Sequence, residues 1–306
     1  MPLLEARGLR KRFGDFAAVD GLDLTVEPGE IFGLIGPDGA GKSTAMRLLV
    51  GVLDADEGRV ALDGMDVVKH PDQAREKLGY MPQQYSLYAD LTVEENLRFF
   101  ADMYFVPAPA RQERLARLYE FSRLAPYARR PAGKLSGGMY KKLALSCNMI
   151  HTPKLLLLDE PTTGVDPLSR RELWDILYRF AAEGVGIVVS TPYMDEAERC
   201  HRVGLIHNGK FLSVDRPQAI LSHFTGELVE VITEQEKAAR QLLAHLEGVR
   251  RCYPAGAALK VLFAGISGGE ETTRRALMSA AVPFTAVQHV PPSFEDVFLS
   301  LMEQRP

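Results

Sequence analysis

An α/β fold is predicted for this chain: a parallel-sheet core around a phosphate-binding loop, an antiparallel β subdomain, an inserted helical subdomain and a small C-terminal α+β domain. Three observations predict it. The glycine-rich stretch Gly36-Pro37-Asp38-Gly39-Ala40-Gly41-Lys42-Ser43-Thr44 sits between the apolar run Ile31–Ile35 and the helix-forming Ala45–Val50. Two near-continuous apolar runs, Lys154–Leu158 and Gly186–Ser190, have the pattern of strands buried on both faces of a parallel sheet. After Pro217 the elements read strand 228–233, helix 235–247, strand 249–253, strand 257–263, helix 268–280, strand 284–290 and helix 293–303.

The first stretch fits G-x-x-x-x-G-K-[ST] between a strand and a helix, the context that this motif needs. Glycines let the backbone curl until successive N–H groups point inward at phosphate oxygens, and the helix start adds partial positive charge. Lys42 supplies a point charge for the outer phosphates and the Ser43 hydroxyl a ligand for Mg²⁺. A P-loop NTPase core that binds a nucleoside triphosphate follows.

The remaining elements fall into place in order. Residues 3–30 alternate apolar and polar side chains, as in Leu22–Val26, and Pro28-Gly29 turns the chain into the central strand. Arg59–Gly64 is a further strand closing on an Asp-Gly turn, so an antiparallel sheet stands beside the core. In it, Lys11-Arg12-Phe13-Gly14 places an aromatic beside two cations. A helical block is expected from about residue 85 to residue 150. Thr92 and Glu95 form a capping box that opens an amphipathic helix through Leu97, Phe100 and Tyr104. Pro107 and Pro109 break it, Leu115, Leu118 and Leu124 mark a second helix, and a third runs from Ser136 to about Ile150. The C-terminal order β-α-β-β-α-β, with a terminal helix, is that of a small ferredoxin-like domain. It carries no catalytic constellation.

Composition bounds the function. The chain has 306 residues, 46% of them hydrophobic and 25% charged, enough to bury a sizeable core. A net charge of −4 gives no basic balance that would argue for nucleic acid. No apolar run is long enough to span a bilayer, and the N-terminus lacks the apolar centre of a signal peptide. Cys147, Cys200 and Cys252 are scattered without metal-ligand spacing and read as reduced thiols. A soluble, cytoplasmic protein is expected.

Two further signals carry chemistry. Asp159 ends the buried run Leu155–Leu158, where a carboxylate downstream of a phosphate loop holds Mg²⁺. Glu160, one residue on, is placed to accept a proton from, or orient, the water that attacks the γ-phosphate. Leu135-Ser136-Gly137-Gly138-Met139 opens a helix with a hydroxyl at the cap and two glycines exposing backbone N–H groups, which makes an anion site. With Gly36–Ser43 upstream and Asp159-Glu160 downstream, this set resembles the signature of the ATP-binding subunits of ABC transporters, across essentially residues 1–217.

The resemblance implies ATP and Mg²⁺ as ligands and a head-to-tail dimer of ATP-binding domains. Each ATP would lie between the phosphate loop of one protomer and Ser136, Gly137 and Gly138 of the other. Phe13 falls where the family stacks an aromatic on adenine, Gln83 at the glutamine that touches Mg²⁺ or water, and Asp166, in Gly164-Val165-Asp166-Pro167, at the aspartate that crosses the interface. Pro292–Leu299, His151-Thr152-Pro153 and Tyr193–Glu198 are similar to ABC type-2 exporters, the drug-resistance group among them, whose ATP-binding subunits carry a C-terminal accessory domain. The partners so implied are ABC type-2 membrane permease subunits and a second ATP-binding domain, at the cytoplasmic face of the membrane, with no nucleic acid.

Three positions depart from that pattern. Asp38 replaces an asparagine and is expected to point to solvent; Met139 replaces a glutamine. Pro192 stands where the family has a histidine that contacts the γ-phosphate, and proline offers neither a side-chain donor nor an N–H. His201 is expected on the following helix as a surface residue. Two arrangements stay open: a homodimer motor, and a subunit with an impaired site of its own that pairs with a complete ATP-binding partner. A soluble ABC ATPase acting on ribosomes or DNA is the reading from another class.

Overall fold

The computed structural model describes residues 1–84, 87–265 and 268–304. Tyr85, where the helical block is expected to begin, lies outside them, as do Arg305 and Pro306 at the end of the expected C-terminal domain. Contacts divide the chain into two compact units, Met1–Pro217 and Gln218–Pro306.

In the first unit, β1 (Leu4–Phe13) and β2 (Phe16–Val26) form a hairpin, and β3 (Ile31–Ile35) leads into the phosphate loop and α1 (Lys42–Leu49). Next come β4 (Glu57–Leu62), β5 (Met65–Asp66), α2 (Pro71–Glu76) and β6 (Leu78–Met81). The helical block supplies α3 (Val93–Met103), α4 (Ala108–Ser122) and α5 (Gly137–Met149). The chain then returns through β7 (Leu155–Asp159), α6 (Pro167–Ala182), β8 (Gly186–Thr191), β9 (Arg202–His207) and β10 (Lys210–Asp215).

Two sheets result. One is antiparallel, in the order β2-β1-β4-β5; the other runs β10-β9-β3-β8-β7-β6, parallel except for the β9–β10 hairpin. Ala45, Met46, Leu48 and Leu49 of α1 pack with Leu4, Leu22 and Leu24 of the first sheet and Leu34, Leu157 and Val188 of the second. Burying both faces is why β3, β7 and β8 read as unbroken apolar runs. Parallel pairing has a functional consequence: the C-terminal ends of β3, β6, β7 and β8 gather at one edge, where open α/β sheets bind ligands.

Local chemistry sets the helix limits. Thr92 caps α3 with both arms of the box, its hydroxyl accepting from the Glu95 N–H. α3 ends at Met103, ahead of Pro107 and Pro109, and Pro109 falls in the first turn of α4, where a proline sacrifices no intrahelical bond. Arg123, at φ 56°, ends α4 before Leu124, which packs beyond the helix. His151 stacks on Tyr104 with ring centroids 3.9 Å apart and donates from Nε2 to the Leu78 carbonyl at 3.1 Å. Burial pushes its imidazole down to about 4, so a neutral ring ties the end of α3 to the start of β6.

The second unit opens with α7 (Pro217–Ser222), then β11 (Glu227–Ile232), α8 (Glu236–Leu243), β12 (Val249–Ala255), β13 (Ala258–Phe263), α9 (Gly269–Ser279), β14 (Ala286–His289) and α10 (Phe294–Gln304). The sheet order β12-β13-β11-β14, antiparallel throughout, is the ferredoxin-like arrangement. Cys252, Leu259 and Val261 face the core with Ala239 and Leu243 of α8 and Leu277 of α9. Tyr253 and Lys260 alternate with them and so face the other way.

There they meet Asp296 of α10. Its carboxylate accepts from Tyr253 Oη at 2.6 Å, Lys260 Nζ at 2.7 Å and the Ser293 N–H at 2.7 Å. Burial pushes this carboxyl up, but the bonds from Lys260, Ser293 and Tyr253 outweigh it and hold it below its ordinary 3.8. A depressed carboxylate stabilises the fold above its unfolded value and loses that contribution as pH falls below it. Asp296→Asn is therefore expected to cost about 2–3 kcal/mol at neutral pH and much less near pH 3, read by urea unfolding at both pH values. An equal loss at both would show that the charge is not what docks α10.

Candidate functional site

Gly36 and Gly41 show why the loop needs glycine. A Cβ at Gly36 would lie 2.2 Å from the Ile206 carbonyl oxygen, and one at Gly41 2.2 Å from that of Ala18; Gly41 also holds φ at 103°. The loop is thereby pressed against β9 and β2, and α1 starts at Lys42 with no side chain capping it. Those free first-turn N–H groups are the electropositive element of the site.

Lys42 is 3% exposed. Its ammonium donates to the carbonyls of Gly36 (2.9 Å) and Pro37 (3.0 Å) and lies 3.5 Å from Glu160 Oε1. Asp38 is 90% exposed, yet its carboxylate stays 3.8 Å from that ammonium. The added negative charge is thus solvated and partly offset.

Across the loop stands the end of β7. Asp159 is buried and accepts from the Ser190 hydroxyl at 2.5 Å. Glu160 follows at φ 51°, a left-handed conformation costly for a side chain of this kind. Its N–H donates to the Ser190 carbonyl and hydroxyl, which turns the carboxylate back over the sheet edge. There Glu160 accepts from Gln83 Nε2 at 2.9 Å and from the Thr163 hydroxyl at 3.3 Å. Gln83, just past β6, is 77 residues away in sequence and reaches Glu160 only because β6 and β7 are neighbours.

A cavity of about 390 Å³ joins these groups, lined by Asp38, Gly39, Gly41, Lys42, Ser43, Thr44, Gln83, Glu160, Phe16 and Ala18. Phe16 lines it; Phe13 does not. The two residues pair across the β1–β2 hairpin and are 53% (Phe13) and 58% (Phe16) exposed. Sequence reading missed Phe16 and Ala18, although the strand pairing that puts Phe16 opposite Phe13 was available as a signal.

Ser136, Gly137, Gly138 and Asp166 are brought together elsewhere. Ser136 caps α5 by accepting from the Met139 N–H at 3.4 Å, and Asp166 caps α6 by accepting from the Ser169 N–H at 3.0 Å. A Cβ at Gly138 would sit 2.3 Å from Ser169 Oγ, so only glycine lets the two helix starts meet. None of these four residues lines the phosphate-loop cavity. One chain thus carries the predicted site residues in two separate clusters.

Beyond β8, Thr191 accepts the Gly36 N–H at 3.3 Å, which sets the strand end against the loop. Pro192 follows, then a 3₁₀ helix, Met194–Arg199, which stops short of His201. His201 lies past its end and accepts the Ile31 N–H at Nδ1, 2.9 Å away. Ile31 starts β3, so His201 sits at the sheet edge opposite the phosphate loop, about 15 Å away by strand rise. It is no substitute for the missing histidine. Glu196, unsuspected from sequence, is 0% exposed and accepts from Arg170 (2.7 Å), Trp174 (2.9 Å) and Thr162 (3.1 Å).

The residues fit a nucleoside triphosphate with Mg²⁺: the glycine cradle admits close approach, Ser43 and Gln83 line the cavity as oxygen donors that would hold the ion, and Asp159, which does not line it and is bonded to Ser190, would join them from the end of β7.

A family model described as "ABC transporter" matches residues 19–163. The "Probable multidrug ABC transporter ATP-binding protein YbhF" of Escherichia coli is 41% identical, over 98% of this chain and 52% of the relative. This chain therefore spans about half the length of that relative. "Nod factor export ATP-binding protein I" of Ralstonia nicotianae is 38% identical over 98% of this chain and 94% of its own length. A solved "ATP binding subunit of ABC transporter" superposes with TM-score 0.66 at 30% identity, over 72% of this chain and 93% of that one. With the phosphate loop in place and a relative matched almost end to end, the chain belongs to the ATP-binding proteins of the ABC transporter family.

Proposed function

We propose that this chain is the ATP-binding and ATP-hydrolysing motor subunit of an ABC type-2 exporter, held at the cytoplasmic face of the membrane by separate permease subunits. Residues 1–217 are its ATP-binding domain and 218–306 its accessory domain. One observation carries the reading: the phosphate loop, Gln83 and Glu160 share a cavity that Ser136, Gly138 and Asp166 do not reach. Two such domains placed head to tail supply each other's missing half. Export is supported by the name of the Ralstonia nicotianae relative, a Nod factor export ATP-binding protein, and the type-2 group by the Pro292–Leu299 resemblance.

In this reading Lys42 binds the outer phosphates, Phe16 or Phe13 flanks the base, and Glu160 takes the proton from, or orients, the attacking water. Mg²⁺, when bound, neutralises charge on the outer phosphates. Gln83, bonded to Glu160, links that carboxylate to the β6 end, through which closure would be felt.

Size exclusion tests the head-to-tail arrangement. In a Glu160→Gln background, Lys42→Ala and Ser136→Arg chains are each expected to stay monomeric with ATP, and their mixture to regain a dimer with one complete site. A mixture that stays monomeric removes the homodimer.

Pro192 favours a second reading, an impaired own site beside a complete partner domain. The strand end that would carry a γ-phosphate contact carries none, and His201 is on the far edge. Pro192→His is expected to raise steady-state ATP turnover on the order of a hundredfold, with ATP binding unchanged. Equal turnover in both proteins would return the homodimer motor. Nucleic-acid binding that falls steeply with salt would instead favour the soluble class.

A further inference from the structure

Apart from the phosphate-loop cavity, a cavity of about 250 Å³ lies between α4, the turn after α5 and the turn between α6 and β8. Its floor is apolar: Leu118, Met149, Phe180 and Val185 are buried there. Phe121 forms one wall and meets Phe180 edge to face at 5.2 Å. The mouth is cationic. Arg114, Arg117 and Lys154 line it against a single carboxylate, Glu183.

The polar groups decide what the cavity accepts. The N–H groups of Thr152, Lys154, Gly184 and Val185 are all bonded to backbone carbonyls, so they offer a ligand nothing. Arg117 is paired with Glu183, and Lys154 with Asp63. Arg114 spends one Nη1 bond on the Ile150 carbonyl at 3.0 Å, which fixes the half-buried guanidinium and leaves its other N–H groups to face an anion. Its neighbour one turn on, Arg117, lies 5.4 Å over the Phe121 ring, so charge and aromatic surface are side by side. The volume is below the about 300 Å³ at which drug-sized pockets begin, too small for a nucleoside triphosphate.

We propose that this cavity binds a small ring-bearing carboxylate, its ring on Phe121 and Phe180 and its carboxylate on Arg114. The site stands apart from the phosphate loop, and the inference does not depend on the proposed ATPase reading.

Saturation-transfer NMR with 2-naphthoate as the probe, and neutral 2-naphthamide beside it, tests this on the full chain. Naphthoate is expected to bind about tenfold more tightly than the amide, and Arg114→Gln to remove that preference while leaving the amide unchanged. Glu183→Gln frees Arg117 and is expected to tighten naphthoate about threefold, a second arm that stands even if the Arg114 variant fails to fold. Lys42→Ala is expected to change nothing. Equal binding of acid and amide, indifference to Glu183→Gln, or loss on Lys42→Ala would each overturn the assignment, the last by moving the probe to the phosphate loop.

Discussion

Glu160→Gln is expected to keep ATP binding and to cut turnover about a thousandfold, the range that loss of a positioned general base commands. The substitution is nearly isosteric. A glutamine oxygen can still accept from Gln83, so the pocket wall that binds nucleotide is retained. What disappears is a carboxylate able to take a proton, and with it the anionic partner 3.5 Å from Lys42. Freed of that partner, Lys42 is more available to phosphate, so affinity should hold or rise slightly. Phosphate release and nucleotide binding, measured on the same preparation, separate the two effects. Turnover within a few-fold of the unmodified chain would mean that Glu160 is not the base, whatever its place in the cavity.

Glu196→Ala is expected to be the most destabilising single change, by about 3–5 kcal/mol, because removing one member of a buried ion pair strands the others. Among the described residues Glu196 is the only acceptor for the buried Trp174 indole N–H, and its carboxylate also takes the Thr162 hydroxyl and Arg170 Nε. Arg170 would keep Asp195, at 2.9 Å and 3.0 Å, but that carboxylate is exposed and binds a different part of the guanidinium. Glu196→Gln retains an acceptor and is expected to lose only about 1–2 kcal/mol. Urea unfolding orders the two variants; equal losses would show that the methylene packing, not the bonded carboxylate, carries the effect. Because Thr162 lies two residues beyond Glu160, the alanine variant should also loosen the β7 end and lower turnover more than its stability loss explains.

The fold was legible wherever a local requirement writes itself into adjacent residues. Alternation in Leu22–Val26 marked half-buried strands, and the unbroken runs of β7 and β8 marked strands covered on both faces. In the second unit, element order alone predicted the ferredoxin-like class, although α8 ends at Leu243, four residues before the expected limit. The misses share a cause. After Pro192 a helix carrying His201 is expected, but a 3₁₀ helix ends at Arg199, its buried Glu196 bonded to Trp174, and leaves His201 beyond it. Phe16 went unnoticed beside Phe13 because hairpin geometry, not residue type, decides which ring meets the cavity.

Adjacent residues alone specify a phosphate loop between a strand and a helix, two carboxylates at the end of a buried strand, and a serine and two glycines opening a helix. Each is a contiguous motif whose backbone demands admit few other residues. Which of these meet is set by long-range packing: Gln83 with Glu160, Lys42 beside Glu160, Gly138 against Ser169, and His201 at the far edge of the sheet. Those distances follow from strand order and register, which long-range pairing sets and no short stretch of chain encodes.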